Sequence, residues 1–85
     1  MFYTYILKSL KDSKLYIGST KDLKARFLLH NNGKVFSTKY RRPLKLVYYE
    51  AYFAEYDARH REHNLKLRSR ALAQLKKRIE KSIEL

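Results

Sequence analysis

Two short runs rich in aromatic and β-branched residues, separated by a polar segment, set the strongest constraint on how this chain folds. Residues 2–8 read FYTYILK and residues 15–18 read LYIG, while residues 9–14 between them read SLKDSK. Aromatic and β-branched residues favour strands, and a short polar connection between two such runs favours a turn. The sequence therefore predicts an antiparallel hairpin formed by the first two strands.

A helix is predicted to follow the hairpin, over residues 21–31. Thr20 stands where an N-terminal cap is expected, Asp22 would complement the helix dipole in the first turn, and Gly33 is the expected C-terminal stop. Residues 34–43 (KVFSTKYRRP) are predicted to form a basic loop, because a proline and a mixed pattern fit neither the helical nor the strand period.

The second half of the chain predicts one more strand and two more helices. Residues 44–52 (LKLVYYEAY) have strand character, residues 54–67 change to a helical period, and Ser69 is a candidate cap for a last helix. The apolar face of that last helix is predicted to comprise Leu72, Leu75, Ile79 and Ile83. The order β-β-α-β-α-α predicts an α/β fold, with a three-stranded antiparallel-type sheet flanked by helices, in a single domain over residues 1–85.

The charge balance is the strongest global indication of a partner. Lys and Arg number 20 against 8 Asp and Glu, which gives a net charge of +12. Such a surplus in a small folded domain favours a polyanionic partner, nucleic acid first and an anionic membrane surface second. The alternative is a merely solvated basic surface.

Cysteine content and the N-terminal segment bear on location. The chain contains no cysteine, which excludes a disulfide framework and a thiolate zinc site and favours a reducing compartment. The N-terminal segment lacks a basic lead-in and a small-residue cleavage site, and no apolar run approaches the ~20 residues of a membrane span. A cytoplasmic protein without a membrane partner is expected.

A glutamate interrupts the apolar stripe of the helix predicted at residues 54–67. Ala54, Ala58 and Leu65 lie on one face, and Glu62 lies on the same face. A carboxylate on a packed face is unfavourable unless it is paired or binds a cation. The pattern leaves both interpretations open, because Arg61 or a lysine across the fold could pair with Glu62, or the stripe could have turned to solvent.

The first helix carries a similar anomaly. Leu23 and Phe27 mark its inward stripe, His30 falls on that stripe, and Arg26 lies one turn before His30. A lone histidine there is usually a core or rim residue. An arginine and a histidine one turn apart could instead meet one phosphate group.

Tyrosines and two further histidines complete the candidate groups. Most of the eight tyrosines are expected to pack with their hydroxyls at the rim of the sheet, and this assignment covers Tyr48, Tyr49 and Tyr52. His60 and His63 are interpreted as surface residues that contact a phosphate backbone, because no third metal ligand accompanies them.

The combination of these residues resembles the GIY-YIG nuclease superfamily, in particular its short stand-alone bacterial members. The residues concerned are Tyr5, Tyr16-Ile17-Gly18, Arg26, His30 and Glu62. Tyr16 follows Tyr5 by 11 residues, Arg26 follows Tyr16 by 10, and His30 follows Arg26 by 4. These separations are similar to those of the family. The segments HNNGK, RRPLKLVYYE and ARHREHNLK extend the resemblance over nearly the whole chain.

The resemblance implies that these side chains meet in one shallow active site. Glu62 would hold a single divalent cation, Mg²⁺ or Mn²⁺, and Arg26 would stabilise charge on the phosphate. Tyr5 or Tyr16 would help to deprotonate the attacking water, with His30 assisting proton transfer. The implied activity is that of a metal-dependent endonuclease, which hydrolyses phosphodiester bonds of DNA during repair or processing of damaged, branched or single-stranded forms.

Two features depart from the family pattern. The first motif reads Tyr3-Thr4-Tyr5, without the usual glycine and isoleucine, and Ser19 stands where some relatives carry a lysine. The residues predicted to contact nucleic acid are Lys21, Lys24, Lys39, Arg41 and Arg42. Recognition of the substrate is expected from this surface or from a protein partner that targets the domain.

Two other functions are compatible with the same residues. A non-catalytic nucleic-acid-binding module on the same fold would use the +12 charge without cleavage. A small basic structural protein, for example one associated with the ribosome, would use aromatic residues as core or as an RNA-stacking surface.

Overall fold

A computed structural model describes the backbone of residues 1–85 and every side chain except that of Ser69. The strands and helices, in chain order, are β1 (Phe2–Ser9), β2 (Leu15–Thr20), α1 (Leu23–Asn31), a 3-10 helix (Phe36–Arg41), β3 (Leu44–Tyr52), α2 (Glu55–Leu67), α3 (Ser69–Arg78) and α4 (Glu80–Glu84). The predicted α/β fold with a three-stranded antiparallel sheet flanked by helices is confirmed.

The sheet has the order β2-β1-β3, and both strand pairs are antiparallel. The predicted hairpin of β1 and β2 is therefore confirmed, and Tyr5 of β1 lies opposite Gly18 of β2. Because β1 is the central strand, its residues Thr4 to Leu7 are buried. Strand β2 lies at one edge of the sheet and β3 at the other.

Two apolar clusters pack on the sheet, as the alternation of side chains along β1 requires. Ile6 and Ile17 pack with Leu65 of α2 and with α3, whereas Tyr5 and Leu7 pack toward α1. The face predicted for the last helix does pack on the first of these clusters, through Leu72, Leu75, Ile79 and Ile83. Helices α1 and α2 thus pack on opposite faces of the sheet.

The last helix is divided, which the sequence pattern did not predict. Ile79 separates α3 from α4 and has non-helical backbone angles, while its side chain stays in the core. The side chain of the predicted cap, Ser69, lies outside the described part of the structure. Within the part of the chain that is described, no helix combines the length and the apolar character needed to cross a membrane.

The start of α1 differs from the prediction. Thr20 pairs with Tyr3 as the last residue of β2, so Asp22 becomes the N-cap and its carboxylate accepts from the backbone N–H of Ala25 at 3.0 Å. The predicted C-terminal stop is confirmed: Gly33 has φ +75°, and the N–H groups of Gly33 and Lys34 bond to carbonyls of the last turn.

The connection from α1 to β3 contains a helix where a loop was predicted. Phe36–Arg41 forms the 3-10 helix, and within it only Thr38 is buried. This short helix carries the Thr38 side chain toward α1, which becomes important for the candidate site.

Candidate active site

A buried tyrosine–histidine–threonine chain lies beneath the candidate site. The Tyr5 hydroxyl is 2.8 Å from His30 Nε2, and His30 Nδ1 is 2.7 Å from Thr38 Oγ1. Each of the three residues is at most 1% exposed. The central strand, the last turn of α1 and the 3-10 helix each contribute one member, so the fold itself fixes their relative positions.

Gly18 provides the space that Tyr5 occupies. A Cβ atom added at Gly18 would lie 2.5 Å from the Tyr5 hydroxyl oxygen and 2.6 Å from Cζ. The Tyr5 ring therefore lies directly against the backbone of β2. The glycine of the Tyr16-Ile17-Gly18 motif is required by this close approach, because any side chain would displace the Tyr5 hydroxyl.

Burial controls the protonation states of Tyr5 and His30. Desolvation raises the pKa of Tyr5 to about 12, although the nearby Arg26 guanidinium works in the opposite direction. Desolvation, helped by the positive charge of Arg26, lowers the pKa of His30 to about 4. At neutral pH, Tyr5 is thus a phenol and His30 is a neutral imidazole, which can accept at one nitrogen and donate at the other.

Tyr16 stands over this buried chain and is partly exposed. Its ring centroid lies 5.1 Å from that of His30 and 6.4 Å from that of Tyr5. Arg26 is also partly exposed, and it lies close enough to Tyr5 and His30 to affect the pKa of both. His30 has no exposed surface and uses both ring nitrogens, so the phosphate contact expected from its spacing to Arg26 is not available to it.

Strand residues hold α2 in the position that brings Glu62 to the edge strand. Thr4 Oγ1 donates to the carbonyl oxygen of Ala58 at 2.6 Å, and Ala58 is buried against the sheet. Ser19, which pairs with Thr4 across the strands, donates through Oγ to Glu62 Oε1 at 2.7 Å. Glu62 lies one turn after Ala58, so these two hydrogen bonds fix its height above β2.

Glu62 is ionised and paired with a lysine. Lys66 Nζ donates to Glu62 Oε2 at 2.7 Å and also lies 5.9 Å from the centroid of the Tyr16 ring. Burial favours the protonated acid, but the hydrogen bonds from Lys66 and Ser19 outweigh it and hold the pKa of Glu62 below its usual value. Neither pairing that the sequence left open is formed: Arg61 binds Glu50, and the partner of Glu62 is Lys66, one turn later on the same helix, rather than a lysine across the fold.

A cavity of about 250 Å³ opens beside Glu62. Its lining, here called the Glu62 cavity, includes Ser19, Thr20, Lys21, Glu55, Arg59 and Glu62. Carboxylate and hydroxyl oxygens on this wall are the donor type that Mg²⁺ and Mn²⁺ prefer. Among the described residues no group of three or more His, Asp or Glu side chains could hold a metal, so Glu62 would act as the main protein ligand.

The residues predicted to bind nucleic acid separate into two groups. Lys21 and Lys24 lie at the start of α1, where Lys21 lines the Glu62 cavity. The other three lie on or beside the 3-10 helix: Lys39, Arg41 and Arg42. Arg41 is engaged by Asp12 at 2.9 Å, and Arg42 donates to the carbonyl oxygen of Lys39.

The tyrosines predicted to pack and the two histidines predicted to lie on the surface agree with the structure to different degrees. Tyr48 and Tyr52 both donate to Glu50, in agreement with a packing role. Tyr49 is 53% exposed and contacts Tyr3 edge-on, so packing describes it only in part. His60 and His63 are exposed, as expected for surface residues, and His60 stacks on Tyr56.

Three polar residues of this site were missed from the sequence. Thr38 holds His30, while Ser19 and Lys66 hold the two oxygens of Glu62. The four-residue spacing of Glu62 and Lys66 was a signal for their pairing. No pattern in the sequence indicated Thr38, because its contact depends on how the 3-10 helix packs against α1.

Comparison with known proteins shows which family the chain is similar to. The family model of the GIY-YIG catalytic domain matches residues 1–78. A UPF0213 protein of Staphylococcus epidermidis is 45% identical over 69 residues, which cover 80% of this chain and 83% of the relative. A UPF0213 protein of Clostridium perfringens is 45% identical over 67 residues, with 78% and 71% covered. No solved structure matches the chain.

Proposed function

The chain belongs to the GIY-YIG catalytic-domain family, and from that premise we propose that it is a metal-dependent endonuclease hydrolysing phosphodiester bonds of DNA. The observation that carries the proposal is the ionised Glu62, joined through Ser19 and Lys66 to the edge strand that bears Tyr16. A binding module without catalysis has no need for a carboxylate on a surface that faces phosphates. The net charge of +12 supports a polyanionic substrate.

Glu62 is proposed to hold one divalent cation, Mg²⁺ or Mn²⁺. Its low pKa keeps the carboxylate charged, and oxygen donors from Ser19 and Thr20 line the same cavity. One protein carboxylate together with waters and substrate phosphate oxygens is an ordinary environment for Mg²⁺. When bound, the cation would supply positive charge that orients the phosphate and stabilises the leaving oxygen.

Arg26 is proposed to bind the phosphate oxygens that gain charge during hydrolysis. A guanidinium offers a planar pair of donors that matches two phosphate oxygens. Arg26 is partly exposed while its positive charge already acts on Tyr5 and His30. A donor that is fixed before the reaction stabilises the transition state without reorganisation.

Tyr16 is the better of the two tyrosines for accepting a proton from the attacking water. Tyr5 is 1% exposed, its hydroxyl contacts His30, and its pKa is raised to about 12. Tyr16 is partly exposed and has the Lys66 ammonium beside its ring. Its exposure lets the Tyr16 hydroxyl reach an attacking water, which the buried Tyr5 hydroxyl cannot do.

Tyr5, His30 and Thr38 are proposed to position this group. His30 can take up or release a proton only toward Tyr5 or Thr38, since both nitrogens face those hydroxyls. These three hydrogen-bonded side chains would orient the Tyr5 hydroxyl and hold the Tyr16 ring by contact with the His30 imidazole. Its contribution is geometric, because none of the three has an exposed surface.

The test is cleavage of a labelled panel of single-stranded, duplex, nicked, flapped and branched DNA, together with RNA. Reactions are compared with Mg²⁺, with Mn²⁺ and with EDTA, for the wild type and for Glu62→Ala. We expect cleavage that needs metal and is lost in Glu62→Ala while binding to DNA survives. If the wild type binds every substrate and cleaves none, the chain is instead a non-catalytic nucleic-acid-binding module.

A further inference from the structure

An open pocket of about 470 Å³ lies on the α1 side of the sheet. Its lining, here called the aromatic pocket, includes Tyr3, Lys21, Lys24, Phe27, Leu46 and Tyr49. Pockets that bind small organic groups have this size and this combination of apolar walls with a few polar groups. None of the proposed catalytic residues lies in it, so its composition needs a separate explanation.

Aromatic rings form one wall of the pocket. Tyr3 and Tyr49 meet edge-on, with ring centroids 5.9 Å apart. Tyr49 remains 53% exposed and Tyr3 and Phe27 are partly exposed, so ring surface is open to a planar ligand. Flat aromatic surfaces of this kind bind nucleobases by stacking, whichever base is present.

Two lysines also line the pocket. Lys21 and Lys24 are both exposed, and in the described part of the chain neither forms an ion pair. The one carboxylate on the lining, Asp22, accepts a hydrogen bond from the Ala25 N–H as the cap of α1. The pocket therefore offers stacking for an aromatic ring and positive charge for an attached phosphate, which together describe a nucleotide.

The aromatic pocket adjoins the candidate active site. Lys21 lines both the aromatic pocket and the Glu62 cavity. Tyr3 lies on the same face of β1 as Tyr5, about 7 Å further along the strand. A strand of DNA with a phosphate at Arg26 and Glu62 would thus bring a neighbouring nucleotide to Tyr3 and Tyr49.

We propose that the aromatic pocket binds one unpaired nucleobase of the DNA substrate, next to the phosphate that is cleaved. This inference rests on the proposed nuclease function and deepens it, because it selects the substrate class. A base inside a duplex is stacked and paired on both sides and has no free face to offer. The pocket would therefore favour single strands, flaps and loops over intact duplex.

The test measures binding without metal, so that it does not depend on cleavage. Fluorescence anisotropy compares a labelled single strand of DNA with a strand of equal length whose bases are replaced by abasic sites. We expect the wild type to bind the strand with bases about tenfold more tightly, the range of one stacked base. Tyr49→Ala should lose most of that preference and Tyr49→Phe, which keeps the ring, should retain it.

Two further variants separate stacking from charge and from general damage. Tyr56→Ala removes another exposed tyrosine, 72% accessible and outside the pocket, and should leave the preference unchanged. Lys24→Ala should lower the salt dependence of binding by about 0.7 in log K against log[salt], whereas Tyr49→Ala should leave that slope as it is. A thermal melt of each variant confirms that it is folded.

The proposal is overturned if the wild type binds abasic and base-containing strands equally, or if Tyr56→Ala loses as much preference as Tyr49→Ala. These outcomes are distinct from failure of the nuclease proposal. If cleavage needs metal and is lost in Glu62→Ala, but binding shows no preference for bases, the nuclease proposal stands and the base-binding proposal fails. If binding prefers bases through Tyr49 but no substrate is cleaved, the base-binding proposal stands and the nuclease proposal fails.

Discussion

Glu50 and Glu62 are two carboxylates with nearly the same environment by simple measures. Their side chains are 19% and 21% exposed, each forms an ion pair, and neighbouring donors hold the pKa of each below its usual value against the opposing effect of burial. Glu50 accepts from Tyr48, Tyr52 and the Arg61 guanidinium, whereas Glu62 accepts from Ser19 and Lys66.

The difference lies in how readily those partners can be replaced. Arg61 reaches both oxygens of Glu50 through a rigid fork, and the two tyrosines come from the same strand as Glu50. The partner of Glu62 is a flexible lysine whose side chain is 46% exposed, and a cavity opens beside the carboxylate. We therefore expect exchangeable partners and adjoining space, rather than burial or charge, to distinguish Glu62 as the functional carboxylate.

The sharpest test of this comparison is Glu62→Gln, which keeps the shape of the side chain and removes its charge. Cleavage should fall by about a thousandfold, since the loss of one group that stabilises the transition state has effects of this size. The melting temperature should change little, because the Lys66 side chain is 46% exposed and its ammonium can turn to water when the charge of Glu62 is removed. Single-turnover cleavage and a thermal melt check the two parts, and a Glu62→Gln protein that cleaves normally would remove Glu62 from the site.

The matched variant is Glu50→Gln, for which the opposite pattern is expected. Loss of the charge leaves Arg61 without its counter-ion in a partly buried position, so the free energy of unfolding should fall by roughly 3 kcal/mol. Cleavage should persist at temperatures where the protein remains folded. Chemical denaturation measures the change, and equal losses of activity in the two variants would make the two carboxylates equivalent after all.

Gly18→Ala tests whether cleavage at the site that contains Glu62 depends on the position of Tyr5. The added methyl group would lie 2.5 Å from the Tyr5 hydroxyl, so Tyr5 must move away from His30. Overpacking of this kind destabilises by about 2 kcal/mol, and cleavage should fall beyond what the loss of folded protein explains. Denaturation and cleavage are measured at the same temperature.

Gly33→Ala provides the control for general destabilisation. Its backbone has φ +75°, so an alanine there should cost about 1–2 kcal/mol. The new Cβ would not touch Tyr5 and would displace only the flexible end of Arg42, 2.9 Å away, so binding to DNA is measured for this variant as well. If both glycine variants lose cleavage in proportion to stability, Tyr5 has no specific role.

The sequence predicted the elements better than the contacts between them. The strands and α2 follow from alternation and helical periodicity, which depend on burial of whole faces and tolerate local errors. The cap of α1 was wrong by two residues, because Thr20 and Asp22 are both good caps and strand pairing with Tyr3 decides between them. The break at Ile79 leaves the apolar pattern intact, so periodicity does not reveal it.

The candidate site shows the same limit. The chain positions that resemble the family indicated Tyr5, Tyr16, Arg26, His30 and Glu62 as one group. They did not reveal that His30 is fully enclosed by Tyr5 and Thr38, which depends on the packing of the 3-10 helix. Neighbours that are distant in sequence decide whether a side chain meets solvent, and a single sequence carries little information about them.

Acid stability tests the enclosure of His30. Since the pKa of His30 is about 4 in the folded protein against about 6.5 for a free histidine, the unfolded chain binds a proton first as the pH falls. Stability is therefore lost between pH 6.5 and 4, by about 2 kcal/mol between pH 6.5 and 5. In that upper window Glu50 and Glu62 stay ionised, because their pKa values are lowered.

Two variants identify the histidine responsible for this loss. His30→Gln should flatten the dependence of unfolding free energy on pH between 6.5 and 5, whereas the exposed His60→Gln should leave it as in the wild type. Urea unfolding at several pH values provides the measurement. A wild-type curve that is flat in this window would mean that His30 is accessible to protons, and therefore to the substrate.

The smallest effect concerns Lys66, the exchangeable partner of Glu62. Lys66→Met removes a positive charge 2.7 Å from Glu62 Oε2, so a cation should bind there more readily and the Mg²⁺ concentration for half-maximal cleavage should fall about fivefold. Stability should change by only about 0.3–0.5 kcal/mol, as for other helical pairs of this spacing. Lys81→Met removes an equal charge from an exposed pair with Glu84 and should leave the Mg²⁺ requirement unchanged. If both lysine variants shift that requirement equally, overall charge is responsible, and the exchangeable pairing that distinguishes Glu62 from Glu50 has no role in metal binding.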